Sequence, residues 1–361
     1  MSKLTERAIA QQLIDYIAIN NLDEIFQSAY KQLHSTETAL LRVQNDILVA
    51  LDNHQSVILL LLDLSAAFDT VDHTILLNRL ATRFGITGSA LSWFTSYLCN
   101  RYQFVSIREE RSSHRPLTYG VPQGSVLGPI LYLLYTSLLG DIVGRYSMGY
   151  HFYADDTQLY LSFDSRGGVA EALAVSQVEA CAREIDNWMC CNKLKLNSDK
   201  SELLVISSQY RPRPVLSSLT IGGSVVLSSA SARNLGVVFD NGLTFEKHIS
   251  AICKSAFYHL RRIAKIRSYL SEESTIALIH AFITCLLDNG NALLYGLPKY
   301  QIQRLQSVQN CTAHLVKRYP KFGHSSPLLS DLHCVVPENI HTPTTEGISR
   351  KPHLLPGISI F

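Results

Sequence analysis

Two adjacent carboxylates, Asp155 and Asp156, lie in Phe152-Tyr153-Ala154-Asp155-Asp156-Thr157, between stretches that alternate apolar and polar residues. Alternation on both sides of a two-residue polar tip predicts a β-hairpin with the aspartates at that tip. Like charges so placed repel unless a cation or solvent compensates them. A solvated turn is the bland alternative for such a pair taken alone. A third carboxylate, Asp63, follows the apolar run 57–62, which has the length of a strand buried on both faces. A carboxylate abutting such a strand needs a partner, because an unpaired buried charge is costly. Backbone amides would serve, and so would divalent cations shared with the hairpin. Oxygen ligands of this kind suit Mg²⁺, with Mn²⁺ as the alternative, and leave coordination positions for water and substrate phosphates. Two such ions about 3.5–4 Å apart activate an attacking hydroxyl and stabilise a leaving phosphate oxygen.

Between these acids comes Gly120-Val121-Pro122-Gln123-Gly124-Ser125-Val126-Leu127-Gly128-Pro129. Three glycines and two prolines specify a loop whose backbone can approach a ligand closely. Ser125 is placed to cap a following helix and Pro129 to sit in its first turn. A purely structural loop would explain the glycines equally well, but not Gln123 in its middle.

In chain order, residues 63–68, Pro122-Gln123-Gly124 and Tyr153-Ala154-Asp155-Asp156 resemble motifs A, B and C of reverse transcriptases. The stretch Leu62-Asp63-Leu64-Ser65-Ala66-Ala67-Phe68-Asp69, with 120–129 and 152–157, is similar to the non-LTR (LINE-type) retrotransposon branch. The likeness runs from about residue 3 to about residue 317. The resemblance implies an RNA-directed DNA polymerase that extends a primer 3′-hydroxyl. Its partners would be an RNA template, a DNA primer and deoxynucleoside triphosphates. The implied architecture is an α+β right-hand fold with fingers, a ferredoxin-like palm carrying an antiparallel sheet, and a helical thumb. By the same resemblance Asp63 and Asp155 are the principal metal ligands, Asp156 is a weaker one, and Leu64 offers its carbonyl oxygen. Phe68 stands where a steric gate excludes a ribose 2′-hydroxyl. Gln123 and Gly124 belong to the loop that meets the incoming nucleotide, and Tyr153 lies near the primer end. Lys31 takes the place of a basic residue, commonly arginine, that meets the triphosphate; it keeps the charge and loses the bidentate fork. Lys200 resembles the motif D lysine that protonates departing pyrophosphate as a general acid. Plain core packing for Phe68 and plain solvation for the lysines are the ordinary alternatives. The hairpin-like stretch 235–240 resembles the element that grips the primer, or is an edge strand. A second reading of the whole is a catalytically inactive, retrotransposon-derived nucleic-acid-binding protein, since a full element would carry an endonuclease ahead of the polymerase.

These positions need a framework to bring them together. Hydrophobic periodicity predicts helices at 5–21, 36–51, 73–84, 89–98 and 169–189, and extended chain at 103–107, 116–119 and 193–206. Lys193 and Lys195 alternate with leucines, as on the wet face of a strand. The expected organisation is fingers and palm over 1–240, a helical thumb over 241–320 and a proline-bearing, disordered tail over 321–361. The thumb would hold helices at 245–268, 273–286 and 299–317. In the first, Ile249, Ile252, Ala256, Leu260 and Ile263 recur at helical spacing, and residues 247–267 contain no Asp or Glu. Lys247, Lys254 and Arg261 recur every seven residues, a cationic stripe suited to a sugar-phosphate backbone or else a solvated face. With 47% hydrophobic and 17% charged residues over 361 positions the chain is expected to be globular. A formal charge of +2 makes nucleic-acid binding depend on where cations cluster. Eight cysteines without a Cys-x-x-Cys pair, no leader-like start and no evident span predict an intracellular protein of cytoplasm and nucleus, with no membrane partner.

Overall fold

The computed structural model describes residues 2–65, 67–166, 168–208, 214–320 and 323–331. Most of the expected tail lies outside them, as does all but Pro214 of Arg211-Pro212-Arg213-Pro214, whose composition predicts a turn or short linker. The chain divides into two units, 1–248 and 249–361.

The first unit opens with α1 (Ser2–Ile19) and α2 (Thr36–Asp52). Ser35 and Thr38 close a reciprocal capping box that fixes where α2 starts. Strand β1 (Ser56–Leu62) is buried at every residue, as its unbroken apolar run requires. Helices α3 (His73–Thr82) and α4 (Gly88–Leu98) follow, with Asp72 capping α3 through the amides of Thr74 and Ile75. The segments 103–107 and 116–119, whose extended character predicts one strand pair, instead contribute to two minimal exposed ladders: β2 (Tyr102–Gln103) pairs with β5 (Arg115–Pro116), and β3 (Ser106–Ile107) with β4 (Glu110–Arg111). Next come α5 (Leu127–Thr136) and α6 (Leu139–Gly144). Residues 127–144 are long and apolar enough to cross a membrane by length and composition, unlike the sequence expectation; 67% of the stretch is buried in the protein, as in a core helix.

Strands β6 (Gly149–Tyr153) and β7 (Asp156–Phe163) form the expected hairpin. Helix α7 (Gly168–Cys191) buries Ala174, Val178, Cys181, Ala182, Ile185 and Met189, a stripe at helical spacing. The unit ends with β8 (Glu202–Ile206), β9 (Ser218–Ile221), β10 (Ser224–Ser229) and the separate hairpin β11 (Ser231–Asn234) to β12 (Val237–Asp240). The main sheet runs β6-β7-β1-β8-β10-β9, antiparallel except at β8–β10. Its centre is β1, between β7 and β8. One continuous core joins α1, α3, α4, α5 and α7 to the sheet.

Helix α8 (Glu246–Ile266) leads into the second unit. All five residues of its expected apolar face are buried, each large aliphatic one contributing about 1.5–3 kcal/mol. The helix expected at 273–286 is α9 (Glu272–Ile279) and α10 (Cys285–Asp288), joined by a π-helical stretch, His280–Thr284. Helix α11 (Lys299–Lys317) has the expected bounds, and α12 (Ser326–Asp331) follows. Arg267, at the end of the acid-free stretch 247–267, is buried and donates to the carbonyls of Leu270, Leu315 and Val316. It satisfies the free C-terminal carbonyls of α11.

Candidate active site

The register of β1 with β7 pairs Leu62 with Thr157. The ladder ends at that pair, and Asp63 follows Leu62 directly while Asp156 precedes Thr157. The end of one ladder thus gathers acids 93 positions apart in the chain, and Asp63 acts on the carboxyls of both Asp155 and Asp156. The hairpin turns one residue earlier than expected: Tyr153 pairs with Asp156, and the tip is Ala154-Asp155. Asp156 is therefore the first residue of β7, one position before its ladder with β1 begins, while Asp155 is on the turn. Ala154 adopts φ +56°, left-handed backbone that a side-chain-bearing residue rarely takes.

The electrostatics record this crowding. Burial raises the Asp155 carboxyl above the ordinary aspartate range, and Asp63 adds to the rise. Asp156 is pushed to about 6 by desolvation and then by Asp155 and Asp63, although its edge remains exposed. Oδ2 of Asp63 is buried without a hydrogen-bond partner among the described residues. Lys200 Nζ is 3.6 Å from it. Among the described residues no three Asp, Glu, His or Cys side chains close into a metal-ligand cluster. The donor chemistry nevertheless fits a hard divalent cation: it would satisfy the orphaned oxygen and relieve the repulsion that lifts both hairpin acids.

Two loops are stitched together beside this point. Val121 N–H donates to the Phe68 carbonyl, Gly120 N–H to that of Val71, and His73 Nε2 bonds the Gly120 carbonyl. Gly120 has φ +84°, and a Cβ there would meet the Asp69 backbone at 3.0 Å, so only glycine fits. Gln123 Nε2 donates to Asp69 Oδ1 at 2.9 Å, and Gly124 has φ +73°. Ser125 Oγ accepts from the Gly128 amide, capping α5 as expected although Val126 is the residue at the helix boundary. The Phe68 ring is half-buried with its centroid 4.5 Å from that of Tyr132. Leu64 is buried and bridges Leu196. Asn197 N–H donates to the Asp63 carbonyl, which fixes the segment carrying Lys200 against the end of β1. That segment is a single bridge and turns rather than continuous strand, yet Lys193 and Lys195 are exposed and Leu194 and Leu196 buried, as alternation predicts. Buried Arg79 anchors its start, donating to Asn192 Oδ1 at 2.5 Å and to the Tyr135 carbonyl.

Lys31 is not at the acids: its ammonium donates to the Glu24 carbonyl at 2.8 Å and lies 3.7 Å from Asp23. Its neighbour Tyr30 is closer, since Asp155 and Tyr153 both act, after burial, to raise its phenol. Tyr132 also feels Asp155 and Asp156, and its buried hydroxyl has no partner among the described residues. Sequence reasoning missed both tyrosines. Tyr30 stood inside a segment read only for its lysine, and Tyr132 looked like one more apolar helix position. On α8, Lys254 and Arg261 are exposed, whereas Lys247 donates to Ser231 Oγ at 2.9 Å.

The family profile described as reverse transcriptase (RNA-dependent DNA polymerase) matches residues 1–239. This chain belongs to the reverse transcriptase family. Its relatives place it in the non-LTR branch. Over 97% of its length it is 28% identical to the probable RNA-directed DNA polymerase from transposon BS of Drosophila melanogaster. It is 29% identical over 92% to that from the X-element, and 26% over 92% to the polymerase from the mobile element jockey, both of the same organism. The chain spans 38%, 36% and 36% of those three proteins' lengths. Among solved structures, apo telomerase from Candida tropicalis is 13% identical with a TM-score of 0.46, covering 96% of this chain and 60% of that one.

Proposed function

We propose that this reverse transcriptase chain is an RNA-directed DNA polymerase, extending a DNA primer on an RNA template where β1 ends against the β6–β7 hairpin. The observation that carries the reading is the ladder that ends at Leu62 and Thr157, with Asp63 and Asp156 the next residues on their strands' ends, Asp155 on the adjoining tip and the three carboxyls acting on one another. Asp63 and Asp155, with Asp156 and the Leu64 carbonyl in support, would hold magnesium. When bound, the metal supplies a Lewis acid for the primer 3′-hydroxyl and for triphosphate charge.

The remaining work belongs to the chain's own groups. Lys200, exposed and on a flexible stem, hands a proton to the departing pyrophosphate; its position near Asp63 supports the role. Phe68, backed by Tyr132, leaves no space for a 2′-hydroxyl and so selects deoxynucleotides. Gln123, steadied by Asp69, and Gly124, free of a side chain, line the incoming nucleotide. Tyr153, paired with Asp156, meets the primer end. Lys31 would reach a triphosphate by exchanging its bond to the Glu24 carbonyl for phosphate. Lys247, Lys254 and Arg261 would contact template and primer phosphates.

Primer extension on poly-rA with oligo-dT and Mg²⁺ tests the reading. Extension by the native chain that Asp155→Ala abolishes is the expected result. Primer-template binding without extension by the native chain would overturn it in favour of the nucleic-acid-binding alternative.

A further inference from the structure

Gln27 is a buried polar side chain that touches no candidate ligand, yet it grips the residue that presents them. Its Oε1 accepts from the Ala154 amide at 3.1 Å and from the Ala29 amide at 2.9 Å. Its Nε2 donates to the Ala154 carbonyl at 3.4 Å. One carboxamide thus holds both polar groups of a single residue, and that residue is the left-handed Ala154. The side chain is itself fixed in place. Residues 26–28 lie along β6, with Phe152 N–H donating to the Phe26 carbonyl and Ser28 N–H to the Phe152 carbonyl. Ser28 Oγ lies 2.8 Å from His151 Nε2. Gln27 is 5% exposed, so water does not compete for these bonds.

We infer that Gln27 is a positioning residue: it holds Ala154 in the left-handed conformation, which aims Asp155 from the tip while keeping Asp156 paired with Tyr153 at the strand end beside Asp63. The inference rests on the metal-binding reading of those acids. A carboxamide suits this task, because it carries a donor and an acceptor side by side in one plane and so can bind the amide and the carbonyl of the same residue. Left-handed backbone is disfavoured for an alanine and persists where its surroundings over-determine it. Glycine takes that conformation freely, so a glycine at position 154 should make the clamp dispensable.

Mn²⁺ binding to the full chain, followed by electron paramagnetic resonance, tests this without reference to polymerase turnover. The native chain is expected to bind and Asp155→Ala to lose binding. Gln27→Leu is expected to weaken Mn²⁺ binding by about tenfold, and Gln27→Leu with Ala154→Gly to recover most of that loss, an outcome general destabilisation would not give. Gln27→Asn keeps a buried amide but withdraws it from Ala154; it serves if the leucine variant does not fold, and should weaken binding with native-like circular dichroism. Native affinity in every folded Gln27 variant, or a double variant as weak as Gln27→Leu, would overturn the clamp alone. Absence of Mn²⁺ binding by the native chain would overturn the clamp together with the metal reading.

Discussion

The end of β1 and the exposed face of α8 are both charged, and they are built on opposite principles. Residues 1–248 contain 20 Lys and Arg against 24 Asp and Glu, whereas residues 249–361 contain 12 against 6. The acids at 63, 155 and 156 come from separate segments that a strand ladder forces together, at a cost visible in the raised Asp155 and Asp156. The cations of α8 need no such help: helical repetition alone places Lys254 and Arg261 on one exposed strip, two turns apart. A site of the first kind depends on each member, since removing one leaves its neighbours wrongly placed or uncompensated. A strip of the second kind acts through a summed field, and each member contributes a share.

The largest effect that would sharpen this contrast is at position 155. Asp155→Ala should reduce primer extension by at least about 10³-fold while leaving the fold intact by circular dichroism. An active Asp155→Ala protein would remove the distinction between the two regions. Next comes Phe68→Ala, which should relax discrimination against ribonucleotides by about 10–100-fold, read as the ratio of kcat/KM for the two sugars. It should also cost about 1–3 kcal/mol of stability through the lost contact with Tyr132. Unchanged discrimination with that stability loss would mean that Phe68 only packs.

How much of each region the sequence disclosed follows from the same contrast. The bounds of α11 and the apolar face of α8 were legible because one periodicity generates them. Asp63 and the hairpin acids were legible because a long apolar run and a flanked Asp-Asp pair are unusual. The turn was misread by one residue: two carboxylates look like a polar tip, but the ladder closes Tyr153 on Asp156 and sets alanine and aspartate at the corner. Nothing local signals that, because the left-handed Ala154 is stabilised by Gln27, more than a hundred residues away. Arg79 and Arg267 were hidden for a related reason. Each is a cation spent on buried carbonyls, and only the tertiary structure distinguishes it from a solvated one.

A smaller effect concerns pH in the metal-free protein. Asp156 titrates near 6 when folded, above the ordinary value of 3.8 that applies when unfolded. The folded state therefore binds the extra proton between those values, so this contribution to stability is fully present below about pH 4 and is lost as pH rises through about 6. Allowing for solvent screening at its exposed edge, the loss is on the order of 1 kcal/mol. Urea melts in chelator from pH 4 to pH 7 should show it, and Asp156→Asn should flatten that part of the profile. Added Mg²⁺ should offset the loss above pH 6, because a bound cation favours the charged carboxylate. A profile identical in the native and Asp156→Asn proteins would mean that the three acids do not share a field.

The smallest effects belong to α8, and they test the other half of the contrast. Lys254→Ala and Arg261→Ala should each weaken binding of a primer-template duplex only a few-fold near 0.1 M salt. Each should also flatten the dependence of log affinity on log salt by about 0.9 for the phosphate contact it gives up. Lys247→Ala should do less, because its ammonium already donates to Ser231. Extension per bound complex should stay unchanged in all three, for a phosphate contact made equally in ground and transition states does not alter turnover. A salt slope that ignores Lys254 and Arg261 would leave the strip a merely solvated face. A change in turnover at saturating primer-template would mean that α8 positions the reacting end as well as holding the strand.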